Sequence, residues 1–334
     1  MSSELSHQLN HMICGYWISQ TVYVVAKLGI ADLVQAGPRH VDNLARESNT
    51  RSDLLFRVLR AAASLGLFAE TEPRTFAQTP LSDLLRSDHP GKQRSLTLMM
   101  GEEHYHVYGK LLEVLHTGAN AFETLFGAPV FEWLAQHPAQ GQTFDEAMTG
   151  IHGTETAAVV EAYDFAGINV VADVGGGNGS KLQAILQRHP RLRGVLFDQP
   201  QVVDRAEPLL RQAGLAERVT FARGNFFESV PSGADAYLMR HIIHDWNDEQ
   251  SLTILRNCYR AMPKGGKLLL VESVIPPGND PFFTKFLDLT MMLIPGGKER
   301  TEAEYRTLYE QAGFEWVRIV PTASEISVIE GIKR

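Results

Sequence analysis

The chain has 334 residues, a net charge of -8 and 44% apolar residues, and these values limit the kinds of protein it can be. Its length and apolar content allow a sizeable core and predict two domains. The acidic surplus argues against a general nucleic-acid binder, because neutralising phosphates requires Lys and Arg. No apolar run reaches the roughly eighteen residues of a membrane-spanning helix, and no secretory signal is visible. The two cysteines form no metal-binding pair, so we predict a cytoplasmic protein. From the charge and the short apolar runs, we predict no nucleic-acid or membrane partner.

The N-terminal part, residues 1–90, predicts a small helical domain with a β-ribbon. Apolar residues recur at helical spacing in three stretches, and two short extended pieces follow them. Helices followed by a ribbon resemble a winged helix-turn-helix, so DNA contact through Arg51, Arg57 and Arg60 is one interpretation. Acidic residues surround these arginines, and the segment is nearly balanced in charge. We therefore favour a winged-helix domain that serves self-association.

The middle segment, residues 91–165, predicts a helical linker, and residues 166–334 predict a second domain. Aromatic and Met side chains at helical spacing in the linker are usually core, but some of them can line a pocket for a flat ligand. His104 and His106 have no carboxylate or Cys partner at ligand spacing, which argues against a metal site.

The second domain opens with a glycine-rich turn in VADVGGGNGS, between a predicted strand and a predicted helix. Glycines permit a sharp turn and a close ligand approach, and the helix start offers free N–H groups. Counted from Gly175, a dinucleotide-binding pattern requires its last glycine at Ser180, but the glycine is at Gly179. The acid Asp173 with G-x-G-x-G resembles the first motif of S-adenosylmethionine-dependent methyltransferases. On this motif alone, an ordinary turn without a ligand remains an alternative.

Strands and helices alternate after this turn, which predicts a parallel sheet with helices on both faces and a closing antiparallel hairpin. The predicted strands are 170–174, 194–197, 219–222, 236–240, 267–271, 316–320 and 326–330. In such an α/β, Rossmann-like sheet, ligands bind beyond the carboxyl ends of the strands.

Polar residues just after the predicted strands are therefore candidates for cofactor binding. Asp198 can accept hydrogen bonds from two ribose hydroxyls, although a helix N-cap would also explain it. Asn225 can accept from an adenine amino group, and Phe226 can pack on the adenine face. Arg240 is placed to bind an amino-acid carboxylate.

His244, in HIIHDWNDEQ, is the candidate general base. Histidine has an unperturbed pKa near neutrality, so it can accept the proton of a phenol. Glu272 and Glu299, both beyond the fifth predicted strand, are candidates to hold the imidazole, fix its tautomer and stabilise the imidazolium. Each acid alone is equally compatible with a surface salt bridge.

The segments VADVGGGNGS, FDQP, GNFFESVP, HIIHDWNDEQ, LLVESVIP and PGGKERTEAE, in this order, closely resemble the small-molecule O-methyltransferases of the caffeate and hydroxyindole type. The resemblance covers nearly the whole chain. It implies a class I methyltransferase sheet with an N-terminal winged-helix dimerisation domain, a homodimer, S-adenosyl-L-methionine as cofactor and no metal.

The same resemblance implies roles for individual residues. His244 matches the general base, Glu272 and Glu299 match the acids that hold it, and Asp245 is a contact to the acceptor. The predicted cofactor-binding residues are Asp173, Gly175, Gly177, Asp198, Asn225, Phe226 and Arg240. Relatives commonly carry Asp in place of Asn225 and Lys in place of Arg240. An amide oxygen still accepts a hydrogen bond, so we expect the cofactor to be retained.

The predicted reaction is methylation of a hydroxyl, expected to be phenolic, on a small aromatic metabolite. The residues predicted to line a flat, apolar acceptor pocket are Met100, Tyr105, Met148, His152, Met291 and Met292. The alternatives are N- or C-methylation on the same fold, or a regulator with a ligand-sensing domain and a DNA-binding winged helix. Ser180 disfavours a nicotinamide dehydrogenase.

Overall fold

The computed structural model describes residues 2–334, without the side chains of residues 2, 3 and 152–154. The chain forms two compact units, Met1–Leu112 with Leu125–Gly153, and Glu113–Thr124 with Thr154–Arg334. The three-part division at residues 90 and 165 stays a prediction. Within the described residues, no helix combines the length and the apolar character needed to cross a membrane.

Helices dominate the chain up to residue 162. In chain order, the elements are α1 (Ser2–Ile13), α2 (Gly15–Lys27), α3 (Ile30–Leu33), β1 (Arg39–His40), α4 (Val41–Glu47), α5 (Ser52–Ser64), β2 (Phe68–Glu72), β3 (Thr75–Gln78), α6 (Pro80–Asp83), α7 (Gln93–Gly101), α8 (Glu103–Tyr108), α9 (Leu111–Thr117), α10 (Ala121–Phe126), α11 (Val130–Gln136) and α12 (Pro138–Ala162).

A small antiparallel sheet in the order β1-β3-β2 lies in the first unit, where the sequence predicts only a ribbon. Its third strand, β1, has two residues, too few for a periodic pattern to reveal. The first stretch of apolar residues at helical spacing, residues 11–28, predicts one helix but spans two, because Cys14 leaves helical geometry at φ -93° and ψ 9°. Gly15, a poor helix former, follows directly.

Strands and helices alternate through the second unit, as the sequence predicts. In chain order, the elements are β4 (Val170–Val174), α13 (Ser180–Arg188), β5 (Arg193–Asp198), α14 (Pro200–Gln212), β6 (Val219–Arg223), β7 (Ala236–Arg240), α15 (Asp248–Ala261), β8 (Lys267–Ile275), α16 (Thr284–Leu293), β9 (Arg300–Thr301), α17 (Glu302–Ala312), β10 (Glu315–Pro321) and β11 (Ile326–Ile332). Two short 3-10 turns, Ala216–Arg218 and Ile243–Asp245, complete the unit.

The main sheet has the order β10-β11-β8-β7-β4-β5-β6, with β9 paired to β8. Strands β4 to β8 pair in parallel, whereas β11 pairs antiparallel with both β8 and β10. The predicted α/β, Rossmann-like class is therefore confirmed. Alternate residues of a strand pack on opposite faces: Val171 joins one apolar cluster, and Ala172 and Val174 join the other.

Strand β8 extends beyond the predicted end at residue 271 and includes Glu272, which pairs with Ser327 of β11. The expectation that Glu272 follows the strand is therefore wrong. The Glu272 carboxylate interrupts the apolar run, so the predicted strand stops four residues before β8 does.

A buried ion pair joins β4 to α13. Lys181 Nζ lies 2.7 Å from Asp173 Oδ1, and the side chains are 5% and 1% exposed. Burial lowers the pKa of Lys181, whereas the neighbouring Asp173 opposes that shift. Because each charge compensates the other, losing one partner leaves an uncompensated charge in the core.

Lys181→Met should lower the free energy of unfolding by about 3 kcal/mol, because it leaves Asp173 buried without its cation. Urea denaturation followed by Trp fluorescence measures the change. Lys264→Met, which removes the same charge from an exposed position, is the matched control. Equal stability of the two variants would contradict a compensated buried pair.

Candidate active site

The glycine-rich turn lies between β4 and α13 and has an open backbone. Gly175, Gly177 and Gly179 have φ values of 69°, 58° and 78°, a region that favours glycine. A Cβ at Gly175 would lie 2.5 Å from Ile242 Cδ1, whereas a Cβ at Gly177 would meet open space. The turn can therefore bring its backbone close to a ligand.

Asp198 lies at the end of β5, next to this turn. Its Oδ2 accepts a hydrogen bond from Gly177 N at 2.9 Å, and its Oδ1 accepts from Gln199 N at 2.7 Å. The N-cap of α14 is Gln199, so the N-cap role considered for Asp198 belongs to its neighbour. Burial raises the pKa of Asp198, while its two backbone hydrogen bonds favour the ionised form.

Aromatic rings border the turn on the side of β6. A Cβ at Gly175 would lie 3.9 Å from Phe226 Cε1, so this ring lies beside the glycines. The Phe226 and Trp246 rings meet edge to face at 6.0 Å. Asn225 Oδ1 accepts a hydrogen bond from Phe227 N at 3.0 Å and has a second lone pair for another donor.

Arg240 ends β7, and its Nη1 donates to Thr156 Oγ1 of α12 at 2.6 Å. Burial lowers the pKa of Arg240, and the charges of Glu155, Asp173 and Glu272 oppose part of that shift. The Asp173 carboxylate pairs with Lys181, so its counter-ion is a side chain of the protein itself. Lys181 is a residue that the sequence pattern did not single out.

These residues fit an adenosyl amino-acid cofactor. Gly177 leaves space at the turn, Asp198 offers a partly buried carboxylate, Phe226 offers a ring, and Arg240 offers a partly buried cation. The individual cofactor contacts of the seven predicted residues stay predictions.

His244 lies in the 3-10 turn Ile243–Asp245, and its side chain is 9% exposed. Its Nδ1 lies 2.7 Å from Glu299 Oε1, and its Nε2 lies 3.5 Å from Asp245 Oδ1. We assign the Nδ1 proton from this geometry, because the carboxylate can only accept. Nε2 is then the atom that can take up a proton.

Glu272 does not hydrogen bond to His244, which corrects the expectation that two acids hold the imidazole. Its Oε1 accepts from Ile242 N and Ile243 N at 3.1 and 3.0 Å. Its Oε2 lies 4.0 Å from His244 Nδ1 and 3.7 Å from His241 Nδ1. Glu272 therefore fixes the backbone of the turn and acts on the imidazole through its charge.

The buried acids determine the protonation of this cluster. Burial lowers the pKa of His244, but Asp245, Glu272 and Glu299 raise it more, to about 10. Burial raises the pKa of Asp245 to about 6 and that of Glu272 to about 7. Without a bound ligand, the site therefore favours the imidazolium form of His244. A positive charge bound nearby favours its neutral form.

Arg300 holds the turn that carries His244, and sequence analysis missed it. The side chain is fully buried. Its guanidinium donates to Ile243 O at 2.9 Å, to Trp246 O at 2.8 Å and to Asp248 Oδ1 at 2.8 Å. The motif PGGKERTEAE contained the signal, because an Arg next to a candidate active-site acid is placed to organise it.

The segment after α16 approaches the His244 turn closely. Lys298 N donates to His244 O at 2.9 Å, and Glu299 N donates to Asp288 Oδ1 at 2.8 Å. A Cβ at Gly297 would lie 2.0 Å from His244 O and 2.4 Å from Asp245 C. Only a glycine fits at this backbone approach.

The predicted acceptor-pocket residues belong to both units. Met100, Tyr105 and Met148 lie in the first unit. Met291, Met292 and Asp245 lie in the second unit, where α16 carries the two Met residues. The side chain of His152 lies outside the described residues. The acceptor role of all seven stays a prediction.

His241, His244 and Glu272 form a group whose donor atoms lie within 4.8 Å of one another. That spacing would admit a metal ion, but each residue already faces a protein group. His241 faces Glu155, His244 faces Glu299, and Glu272 faces backbone amides. We therefore assign the group to proton chemistry, and the absence of a metal stays a prediction.

Two family models match the chain. The O-methyltransferase domain matches residues 108–315, and the O-methyltransferase dimerisation domain matches residues 10–88. The first match covers the glycine-rich turn, His244 and Glu299.

Characterised proteins are similar over nearly the full length. Phenazine O-methyltransferase PhzM from Lysobacter antibioticus is 47% identical over 326 residues, covering 98% of this chain and 96% of the relative. The 3-amino-4-hydroxybenzoate 4-O-methyltransferase from Streptomyces cremeus is 36% identical over 313 residues, covering 92% and 85%.

A solved structure extends the comparison. It is the O-methyltransferase NcsB1 from neocarzinostatin biosynthesis, in complex with S-adenosylmethionine and 2-hydroxy-5-methyl naphthoic acid. The two folds match with a TM-score of 0.85 at 30% identity, covering 95% of this chain and 96% of the other. S-adenosylmethionine is the cofactor of this family.

Gly297→Ala should lower kcat roughly a hundredfold, because the added methyl group displaces the His244 turn and a shift of about 1 Å has that effect on aligned groups. Steady-state methylation assays measure the loss. Gly15→Ala is the control, since nothing lies within 4 Å of a Cβ there. A Gly297→Ala enzyme with unchanged kcat would show that the close approach does not position His244.

Proposed function

This chain belongs to the S-adenosylmethionine-dependent O-methyltransferases, and on that premise we propose that it methylates a phenolic hydroxyl of a small aromatic metabolite with His244 as general base. The observation that carries the proposal is the 2.7 Å contact between His244 Nδ1 and Glu299 Oε1. It leaves Nε2 as the proton-accepting atom.

The similar proteins support an aromatic acceptor. Their names specify a phenazine, an amino-hydroxybenzoate and a hydroxynaphthoic acid. All three are flat aromatic compounds, and Met and Tyr side chains suit the faces of such rings. On this basis we assign Met291 and Met292 of α16 to the acceptor pocket.

The cofactor supplies an electrophilic methyl group on a sulfonium centre. In our proposal Asp198 binds the ribose hydroxyls, Phe226 packs on the adenine, and Arg240 binds the amino-acid carboxylate. The glycine-rich turn allows close approach. Positioning of the two reacting groups supplies much of the rate enhancement.

His244 accepts the acceptor's hydroxyl proton at Nε2 while Glu299 holds Nδ1. A base must be neutral to accept a proton, yet the three surrounding acids raise the pKa of His244 to about 10. The positive charge of the bound sulfonium offsets part of that field. Asp245, 3.5 Å from Nε2, is placed to hydrogen bond to the acceptor hydroxyl.

We also propose that the enzyme is a homodimer. Residues 10–88 match a dimerisation domain, which supports self-association. Large apolar side chains on α1 and α2 are exposed in the single chain, and burying them provides a driving force for association. They are Leu5, Leu9, Met12, Ile13, Tyr16, Trp17 and Ile18.

His244→Ala should lower kcat by about 10²- to 10⁴-fold, the range of general-base contributions, and leave cofactor affinity nearly unchanged. Methylation assays and calorimetric titration with S-adenosylhomocysteine measure the two quantities. If the variant lost affinity as strongly as turnover, His244 would be structural and not a base.

A panel of matched aromatic acceptors tests the substrate class. With labelled S-adenosylmethionine, phenols should be methylated on oxygen, and the corresponding anilines should react at least about tenfold more slowly, because Asp245 and His244 are arranged around a hydroxyl. Product analysis by mass spectrometry identifies the methylated atom. Preferred methylation on nitrogen or carbon would overturn the proposal, and so would salt-dependent DNA binding without any turnover.

A further inference from the structure

His241, the residue after β7, has a strained backbone. Its φ is 52°, in the left-handed region that non-glycine residues rarely adopt. Such outliers persist where surrounding contacts hold them, and they concentrate at functional sites. The side chain is 11% exposed, so it points into the protein near the candidate base.

Each ring nitrogen of His241 faces a carboxylate. Nε2 lies 3.0 Å from Glu155 Oε2 on α12, and Nδ1 lies 3.7 Å from Glu272 Oε2 on β8. A neutral imidazole carries one N–H, whereas the imidazolium carries two. Carboxylates at both nitrogens therefore favour the cationic form of His241.

Glu272 lies between two imidazoles. Its Oε2 is 3.7 Å from His241 Nδ1 and 4.0 Å from His244 Nδ1, and the two ring centroids are 5.0 Å apart. Opposite charges at such distances interact strongly when they are buried. A positive His241 thus compensates the carboxylate that would otherwise stabilise the proton on His244.

We propose that His241, held by Glu155, is the counter-ion of Glu272 and a positioning residue that keeps His244 able to act as a base near neutral pH. This inference rests on the proposed function of His244. Among the described residues, the groups close to His241 include Glu155, Glu272 and His244. Those close to His244 include Asp245, Glu272, Glu299 and His241.

The sign of the effect follows from these charges. Removing the positive charge of His241 leaves Glu272 uncompensated beside His244 and raises the pKa of His244 further. At every pH below that pKa, the neutral fraction of His244 then falls, and it falls about tenfold when the pKa rises by one. The rising limb of the pH–rate profile moves to higher pH, and the plateau is unchanged.

The experiment compares pH–kcat profiles at saturating cofactor and acceptor. His241→Asn, a residue that tolerates left-handed backbone, should lose about tenfold in kcat at pH 7 and recover toward wild type at high pH. Glu155→Gln should shift the profile in the same direction by less. Glu161→Gln, an exposed acid on the same helix, should keep the wild-type profile.

A titration that does not require turnover keeps this inference separate from the proposed function. The Cε1–H signal of His244, followed by NMR in ¹³C-histidine-labelled protein, should titrate at higher pH in His241→Asn and Glu155→Gln than in wild type. Unshifted titration in both variants, or an equal loss of kcat at all pH values, would overturn the proposal. Retained turnover in His244→Ala would instead refute the role of His244 as general base.

Discussion

The buried guanidinium of Arg300 is the contact on which the geometry of the site depends. A 3-10 turn such as Ile243–Asp245 satisfies few of its own backbone groups. Arg300 supplies donors to Ile243 O, Trp246 O and the Asp248 carboxylate, and these bonds restrict the position of the turn. Glu299, the preceding residue, reaches His244 Nδ1. One short segment therefore fixes both the backbone and the ring of the candidate base.

Negative charge is concentrated around that base. Asp245, Glu272 and Glu299 all raise the pKa of His244, and burial makes their charges costly to keep. Such a cluster of buried negative charge is unfavourable without a ligand, and a cationic ligand compensates it. The chemistry of a sulfonium donor and the charge of the site thus complement each other. The same reasoning gives His241 its role, because it is a cation that the protein itself can supply.

Two charged pairs with a buried cation, Asp173 with Lys181 and Asp248 with Arg300, lie beside the two halves of the site. Neither is needed for chemistry in our proposal, and both restrict the backbone that carries reactive groups. Both pairs act by positioning the backbone, because a buried ion pair defines local geometry more reliably than it adds net stability.

The sequence by itself determined the sheet, the turn and the family resemblance. A buried parallel strand such as β7 is an apolar run as far as its last residue, and the glycine spacing is local, so both are readable without contacts. Only the tertiary structure decided that Glu299 binds His244 while Glu272 binds backbone amides, and that Arg300, His241 and Lys181 belong to the site. The partners in these contacts lie up to 86 residues apart in the chain, as His241 and Glu155 do. Their pairing depends on how strands and turns meet in space, which no local pattern encodes.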